Sequence, residues 1–249
     1  IGGASGFWGD SVVATPQLLN GNNLDFIVYD YLAEITMSIM ARARAKDPSK
    51  GYAIDFVSSV MKLNLRQIAD QKVKILSNAG GVNPQACAEA IRALIKELKL
   101  DLKVAVVLGD DLLEDKDKFL DSGVQEMYSD EKFPEVDKIA SINAYLGAFP
   151  IAQALNDGAD IVITGRSVDS AVTLAACIHT HGWKEDDYDK LASGSLAGHI
   201  IECGTQSTGG NFTDWELSTK DLHMIGYPIV DVSENGEFIC TKSNNTSGL

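Results

Sequence analysis

The segment Asp160-Ile161-Val162-Ile163-Thr164, followed by Gly165-Arg166-Ser167-Val168-Asp169 and an alanine-rich run from Ser170 to His179, decides the fold of this chain. Its first part is a short, unbroken apolar run of the kind that forms a strand buried on both faces. Its middle part is polar and begins with glycine, and its last part has the composition of a helix. The order of strand, polar loop and helix predicts an α/β fold, in which helices flank a mainly parallel sheet.

The same unit recurs along the chain and predicts a sheet of about six strands. The predicted strands lie at the start of the chain and at residues 24–29, 72–76, 104–108, 139–143 and 160–164. The clearest helix start follows the third of these, because Asn83 suits the N-cap position and Pro84 the first helical turn. We expect an open, doubly wound sheet rather than a barrel, because the loop lengths are too uneven for a regular barrel.

The character of the sequence changes after Gly182, and we predict an α/β core over residues 1–182 and an appendage over residues 183–249. The appendage is predicted to contain a helix over residues 188–201 and a β-hairpin over residues 226–241. The hairpin turn is Ser233-Glu-Asn-Gly236, since Asn-Gly is a strong turn signal between two apolar runs. We expect the appendage to pack on the carboxyl edge of the sheet, as part of one compact unit.

The composition excludes several classes of partner. A net charge of −14 would repel a nucleic-acid backbone, so we expect no nucleic-acid partner. No apolar run reaches the roughly 18 residues of a membrane span, so we expect no membrane partner. The four cysteines are far apart and form no CxxC pair, which favours free thiols in the reducing cytoplasm.

Polar side chains follow the predicted strands at their carboxyl ends. In parallel α/β sheets these ends share one edge, and ligands bind there. The polar residues are Asp10, Asp30, Glu34, Asn78, Asn83, Asp110, Asp111, Asn143, Arg166 and Asp169. From this edge we predict as substrate-binding residues Ser5, Asp10, Asn78, Asn143 and Arg166.

Two residues of this edge carry specific hypotheses. Arg166 is the candidate for holding a substrate carboxylate or phosphate, because a guanidinium group is planar and bidentate. The alternative is a buried structural pair of Arg166 with Asp169 or with Asp110. Asp110 is predicted to be catalytic, and Asp111 would point the opposite way in an extended chain. A second acid near the site, such as Asp30 or Glu34, would raise one pKa and suit acid–base chemistry.

The stretch from Gly198 to Trp215 is rich in reactive side chains. His199, Glu202 and Cys203 would share one face of a helix. A metal half-site, a thiol activated by the imidazole and a purely structural helix end all fit this spacing. We predict catalytic acid–base or binding roles for His199 and Glu202, and we assign no metal ligand.

A loop rich in glycine, hydroxyl and amide groups follows these residues. Such a loop can hold an oxyanion, a carboxylate or a phosphate through its donors. The alternative is an ordinary connecting loop. As substrate-binding residues of this loop we predict Gln206, Thr208 and Asn211.

Together these motifs resemble the acyclic terpene utilisation family, also called AtuA-like. The matching segments run along the whole chain and are Gly6-Phe-Trp-Gly-Asp-Ser11, Asp30-Tyr-Leu-Ala-Glu34, Asn78-Ala-Gly-Gly81, Gly109-Asp-Asp111, Asn143-Ala-Tyr-Leu-Gly147, Gly158 to Asp169, Glu202-Cys-Gly-Thr-Gln206, Gly209-Gly-Asn-Phe212 and Asp214-Trp215. The resemblance implies a role in bacterial catabolism of acyclic terpenes, alongside enzymes of CoA thioesters, without a defined reaction. Members continue after the hairpin with residues like Thr-Lys-His-Pro-Gly, whereas Thr241-Lys242 is followed here by Ser-Asn-Asn-Thr-Ser. We therefore expect a chain shortened at its C-terminus.

The sequence and the resemblance lead to one main functional hypothesis. We expect a cytoplasmic metabolic enzyme that acts on a small acid or an acyl-CoA-type substrate by acid–base chemistry of the lyase or hydratase type. A CoA thioester is a candidate substrate, no cofactor is assigned, and a divalent metal is not expected. The alternatives are a non-catalytic subunit that binds an acyl or nucleotide ligand beside partner enzymes, and a structural protein. A homo-oligomer or a complex with a partner subunit is compatible with either.

Overall fold

The computed structural model of the protein describes residues 1–5, 8–9, 12–217 and 219–249, without the side chains of residues 219 and 220. In this part of the chain, seven strands form one sheet with the order β4-β5-β3-β2-β1-β6-β7. The strands are β1 (Gly2–Gly3), β2 (Phe26–Tyr29), β3 (Lys74–Ser77), β4 (Val104–Val107), β5 (Ile161–Thr164), β6 (Pro228–Val232) and β7 (Phe238–Lys242). The first five are mutually parallel, and β6 and β7 are antiparallel to their neighbours.

The helices form a layer on each face of this sheet. On one face lie α1 (Ala14–Leu19), α2 (Glu34–Lys46), α3 (Lys62–Gln71), which a π-helical segment (Phe56–Met61) precedes, and α4 (Pro84–Leu98). On the other face lie α6 (Phe149–Asn156), α7 (Ala171–His181) and α8 (Tyr188–Ile201). A short α5 (Lys116–Asp121) belongs to the exposed segment after β4, and 3₁₀ turns occur at Leu113–Asp115, Val136–Lys138, Gly204–Thr208, Trp215–Leu217 and Thr219–Met224.

Alternation along the strands divides the core into two halves. Ile75 and Ile163 face the layer of α1 to α4, while Leu76 and Val162 face the layer of α6 to α8. Because successive strand side chains point to opposite faces, an unbroken apolar strand contributes to both halves. Each such buried side chain contributes roughly 1.5–3 kcal/mol of transfer free energy. This confirms the α/β class and the helices on both faces of an open, mainly parallel sheet.

Two details of the predicted sheet are wrong. Residues 139–143 form no strand and contribute a single bridge between Asp111 and Asn143, because this partly exposed segment crosses the surface instead of entering the sheet. The predicted hairpin forms, but it extends the main sheet, since Gly2 pairs antiparallel with Ile229. β1 is only two residues long, so β6 covers an edge that would otherwise be short and unprotected.

Several local predictions are confirmed. Asn83 caps α4 by accepting a hydrogen bond from the Ala86 amide at 3.4 Å, with Pro84 in the first turn. The helix predicted over residues 188–201 is α8, with those bounds. The division of the chain at residues 182 and 183 stays a prediction.

The connections create a crevice between β3 and β5. β3 leads to α4 on one face of the sheet, whereas the neighbouring β5 leads to α7 on the other face. Where adjacent parallel strands send their chains to opposite faces, the loops separate and leave room for a ligand. A ligand site is therefore expected among the loops that follow β2, β3, β4 and β5.

Gly3 brings α8 close to the sheet and gives a direct test of this packing. A Cβ added at Gly3 would lie 2.6 Å from the Ile201 carbonyl oxygen, which belongs to backbone and cannot move aside cheaply. We expect Gly3→Ala to lower the free energy of unfolding by about 1–3 kcal/mol in urea denaturation. Gly147→Ala is the control, because a Cβ there meets no atom within 4 Å. Equal stability of the two variants would contradict the close packing.

Candidate active site at the carboxyl edge of the sheet

Arg166 occupies the centre of the loops that follow the parallel strands. Its side chain is buried, and its Nη1 donates to the Asp169 carboxylate at 2.7 Å and to the Leu32 carbonyl oxygen at 3.1 Å. Its Cζ lies 4.0 Å from the centroid of the Tyr145 ring, in cation–π geometry. Its Nε is buried and meets no hydrogen-bond acceptor among the described residues. The guanidinium thus joins the loops after β2, β4 and β5.

Asp110 holds the backbone of the same loop. Its Oδ2 accepts hydrogen bonds from the Arg166 amide at 2.8 Å and from Asn143 Nδ2 at 2.9 Å. Burial raises the pKa of Asp110, and these two hydrogen bonds oppose the increase. Asp111 is turned away and forms an exposed ion pair with Arg44, as expected for adjacent residues of an extended segment. Asp110 and Asn143 thus lie in the Arg166 loop, and their predicted roles in catalysis and substrate binding stay predictions.

Ser5 and Asn78 support Asp30, which follows β2. The Asp30 amide donates to Ser5 Oγ at 2.6 Å, and Asn78 Nδ2 donates to Asp30 Oδ1 at 2.5 Å. Asn78 Oδ1 accepts from the Tyr31 amide at 2.8 Å, and the Leu32 amide donates to Asp30 Oδ1 at 3.1 Å. Both supporting side chains are buried. Asn78 therefore holds the Asp30 carboxylate and Ser5 holds the Asp30 backbone, and direct contact of either with a substrate stays a prediction.

Three carboxylates meet beside Arg166. One oxygen from each of Asp30, Asp169 and Glu202 lies within 4.8 Å of the other two. Burial raises the pKa of Asp30 to about 6, and the nearby Asp169 carboxylate adds to the increase while Arg166 opposes it. Burial and the charge of Asp169 also raise the pKa of Glu202. The sequence predicted no metal site, yet this set of oxygen donors has the chemistry to hold a hard cation.

His199 and Glu202 form a pair at the end of α8. His199 Nδ1 lies 2.8 Å from Glu202 Oε1, and the imidazole is 75% exposed while the carboxylate side chain is only 10% exposed. This contact confirms that the two residues share a face. Cys203 is exposed, and its pKa is raised by partial burial and by the carboxylates of Glu202, Asp30 and Asp169. A raised pKa disfavours the thiolate, so the surroundings of Cys203 do not resemble those of an activated thiol.

Four further residues were predicted to bind substrate, namely Asp10, Gln206, Thr208 and Asn211. Asp10 is outside the described residues. Gln206 and Asn211 are exposed. Thr208 is buried, and its hydroxyl donates to the Gly226 carbonyl oxygen at 2.6 Å, which is the contact of a structural side chain. The predicted substrate-binding roles of Gln206, Thr208 and Asn211 stay predictions.

A 3₁₀ turn, Gly204–Thr208, packs this donor loop against β1. Gly204 has φ = 55°, and a Cβ there would lie 2.0 Å from the Ser5 carbonyl oxygen. Only glycine permits this left-handed conformation and close approach together. The contact keeps the end of α8, and with it Glu202, beside the loops after β1 and β2.

A cavity of about 680 Å³ opens next to Arg166. Its volume is in the range of small-molecule sites. Its apolar wall comes from α2 and from residues 133–142, and its polar groups include Glu34, Asn143, Tyr145 and Arg166. The Tyr145 hydroxyl donates a hydrogen bond to the Glu34 carboxylate across this wall. Arg166 is therefore shared between the cavity and the carboxylates.

Four residues of this site were not predicted to be catalytic or to bind substrate. Asp30, Glu34 and Asp169 had a usable signal, because each follows a strand end, but only their spatial neighbours distinguish them from other acids there. Tyr145 had no such signal apart from its place two residues after Asn143.

Asp30→Asn tests the electrostatics of the carboxylate group. Because the folded-state pKa is about 6, above the ordinary value of 3.8, the charged carboxylate destabilises the fold progressively as the pH rises from about 4 to about 6. Asparagine can still accept the hydrogen bonds from Asn78 and Leu32. We expect the variant in EDTA to be more stable than the wild type at pH 7.5, by on the order of 2–3 kcal/mol. This difference should vanish near pH 4.

Guanidinium chloride denaturation at a series of pH values measures this difference, and Asp111→Asn, at an exposed neighbouring carboxylate, is the control. If Asp30→Asn were less stable than the wild type at pH 7.5, the charged Asp30 carboxylate would not destabilise the fold.

Comparison with known proteins places the chain in a family. Neither curated proteins nor solved structures gave a significant match. Among the described residues, no helix combines the length and the apolar character that crossing a membrane requires. The sequence model described as acyclic terpene utilisation family protein AtuA matches residues 1–249, the whole chain. The protein therefore belongs to the AtuA family of acyclic terpene utilisation proteins.

Proposed function

We propose that the protein is a metabolic enzyme that acts on a small carboxylic acid or an acyl-CoA-type thioester by transferring protons at the carboxyl edge of its sheet. The observation that carries the proposal is the position of Arg166, which lines the cavity and also pairs with Asp169, one of the three clustered carboxylates. The family name supports a role in terpene utilisation and leaves the reaction open.

The cavity suits a substrate with an apolar chain and an anionic end. Met37, Phe133 and Ile139 contribute apolar surface, and Arg42 and Lys138 contribute positive charge. In a chain of net charge −14, such cations are the groups that would attract a carboxylate or the phosphates of a CoA thioester. An acyl chain would lie on the apolar surface.

Proton transfer would fall to the carboxylates and to His199. His199 and Glu202 are paired at 2.8 Å, and the exposed imidazole can exchange protons with solvent. Histidine and carboxylates are the side chains that most often act as general acids and bases. The Nε–H of Arg166, which meets no acceptor among the described residues, could stabilise negative charge on a substrate oxygen. Abstraction of a proton next to a carbonyl group is a step shared by many lyases and hydratases of acids.

We also propose that the enzyme is cytoplasmic. Cys87, Cys177, Cys203 and Cys240 are free thiols, as in proteins of reducing compartments. We also propose that the protein forms a homo-oligomer or a complex with a partner subunit. The alternative function is a non-catalytic subunit that binds an acyl or nucleotide ligand.

Solvent-deuterium exchange tests the proposal without knowledge of the full reaction. The protein is incubated in D₂O with short free acids and with straight-chain and branched acyl-CoA thioesters, and mass spectrometry measures deuterium incorporation. We expect exchange with at least one compound of this panel. His199→Asn should slow it by about 100- to 10,000-fold, because asparagine retains a donor for Glu202 but cannot carry a proton.

His179→Asn is the matched control, because His179 contacts Asn156 and Phe26 away from the carboxylates. Its exchange rate should equal that of the wild type. Ligand binding without exchange of any compound would contradict an enzymatic role and favour the binding subunit. Equal rates in His199→Asn and the wild type would remove His199 from the mechanism.

A further inference from the structure

We propose that Asp30, Asp169 and Glu202 together bind a hard divalent cation such as Mn²⁺, Mg²⁺ or Ca²⁺ in the crevice between β3 and β5. The inference goes beyond the proposed function and does not depend on it, because cation binding requires only these side chains and their supports.

The spacing of the carboxylates fits one shared cation. One oxygen from each residue lies within 4.8 Å of the other two. Hard cations hold carboxylate oxygens at about 2.0–2.6 Å, so two ligands of one ion lie between roughly 3 and 5 Å apart. The three residues come from the loops after β2 and β5 and from the end of α8, so the site draws on separate parts of the fold.

The unsatisfied oxygen of Glu202 is independent evidence for a ligand. Its side chain is nine-tenths buried, with 10% exposure, and Oε1 is held by His199. Oε2 is also buried, but no hydrogen-bond partner meets it among the described residues. A buried carboxylate oxygen without a donor destabilises the fold, and coordination of a cation would remove that cost.

Each carboxylate meets its partners among the described residues through one oxygen only. Asp30 Oδ1 accepts from Asn78 and Leu32, and Asp169 Oδ1 accepts from Arg166. Glu202 Oε1 contacts His199. Hydrogen bonds of this kind to the outer oxygens of metal ligands fix their orientation.

The charge balance points the same way. Three carboxylates lie beside one guanidinium, which also pairs with Glu34 at 3.6 Å, so it offsets at most one of their charges and a divalent cation would offset the rest. All the donors are oxygen atoms, which favours Mg²⁺, Ca²⁺ or Mn²⁺ over metals that prefer nitrogen and sulfur. Cys203 is adjacent in sequence but is not needed as a ligand.

Direct titration with Mn²⁺ tests the inference. The full chain is stripped with EDTA and titrated without substrate, with isothermal calorimetry and the electron paramagnetic resonance signal of free Mn²⁺ as readouts. We expect one saturable site for which Mg²⁺ and Ca²⁺ compete. Glu202→Gln and Asp30→Asn should each weaken binding at least about tenfold, because each removes a charged ligand.

Two controls separate this site from the acidic surface. Asp186→Asn removes an exposed charge, and Cys203→Ser removes the neighbouring thiol, so both should bind Mn²⁺ like the wild type. Circular dichroism checks that each variant is folded, and the wild-type titration stands without them.

The absence of saturable binding in the wild type up to about 1 mM Mn²⁺ would overturn the inference. Unchanged affinity in folded Glu202→Gln would do the same, as would loss of binding in Cys203→Ser. Because no substrate is present, failure here leaves the exchange experiment of the proposed function unaffected, and the reverse also holds.

Discussion

The site depends on the buried guanidinium of Arg166. Removing this charge from water is costly, so the side chain requires close partners, which are the Asp169 carboxylate, the Leu32 carbonyl oxygen and the ring of Tyr145. These partners belong to the loops after β5, β2 and β4. Asp110 fixes the Arg166 backbone by accepting a hydrogen bond from its amide. A single charged group therefore determines how three loops lie relative to one another, and the cavity forms against it.

The topology of the sheet explains why acidic groups gather beside this arginine. β3 and β5 are neighbours, but their chains leave toward opposite faces, so the loops above them part. α8 ends against β1, where Gly3 allows the Ile201 carbonyl group to approach, and the next residue, Glu202, reaches the Asp30 loop. The result is a concentration of negative charge that Arg166 offsets only in part. Proton transfer and cation binding are two uses of such a group, and each rests on its own observations.

The features that were predicted correctly depend on residues close together in the sequence. The α/β class, the Asn83-Pro84 helix start, the bounds of α8 and the hairpin all follow from local periodicity or turn chemistry. Residues 139–143 were wrongly predicted as a strand, because a short mixed segment carries no sign of its exposure. Asp30, Asp169 and Glu202 are far apart in the chain, so their meeting depends on strand order, which a single sequence does not reveal. For Arg166 the sequence left open a role in holding a substrate anion and a structural pair with either Asp169 or Asp110.

Hydrogen exchange in Arg166→Met tests most directly whether this guanidinium organises the loops. The substitution leaves Asp169, which is 43% exposed, without its partner and should lower the free energy of unfolding by about 1–3 kcal/mol. The amides of Tyr31 and Leu146, which are bonded to Asn78 and to the Arg166 carbonyl oxygen, should lose more protection than amides within α4. The account predicts this selective loss in metal-free protein. Equal loss in the loops and in α4, or no loss in either, would contradict it.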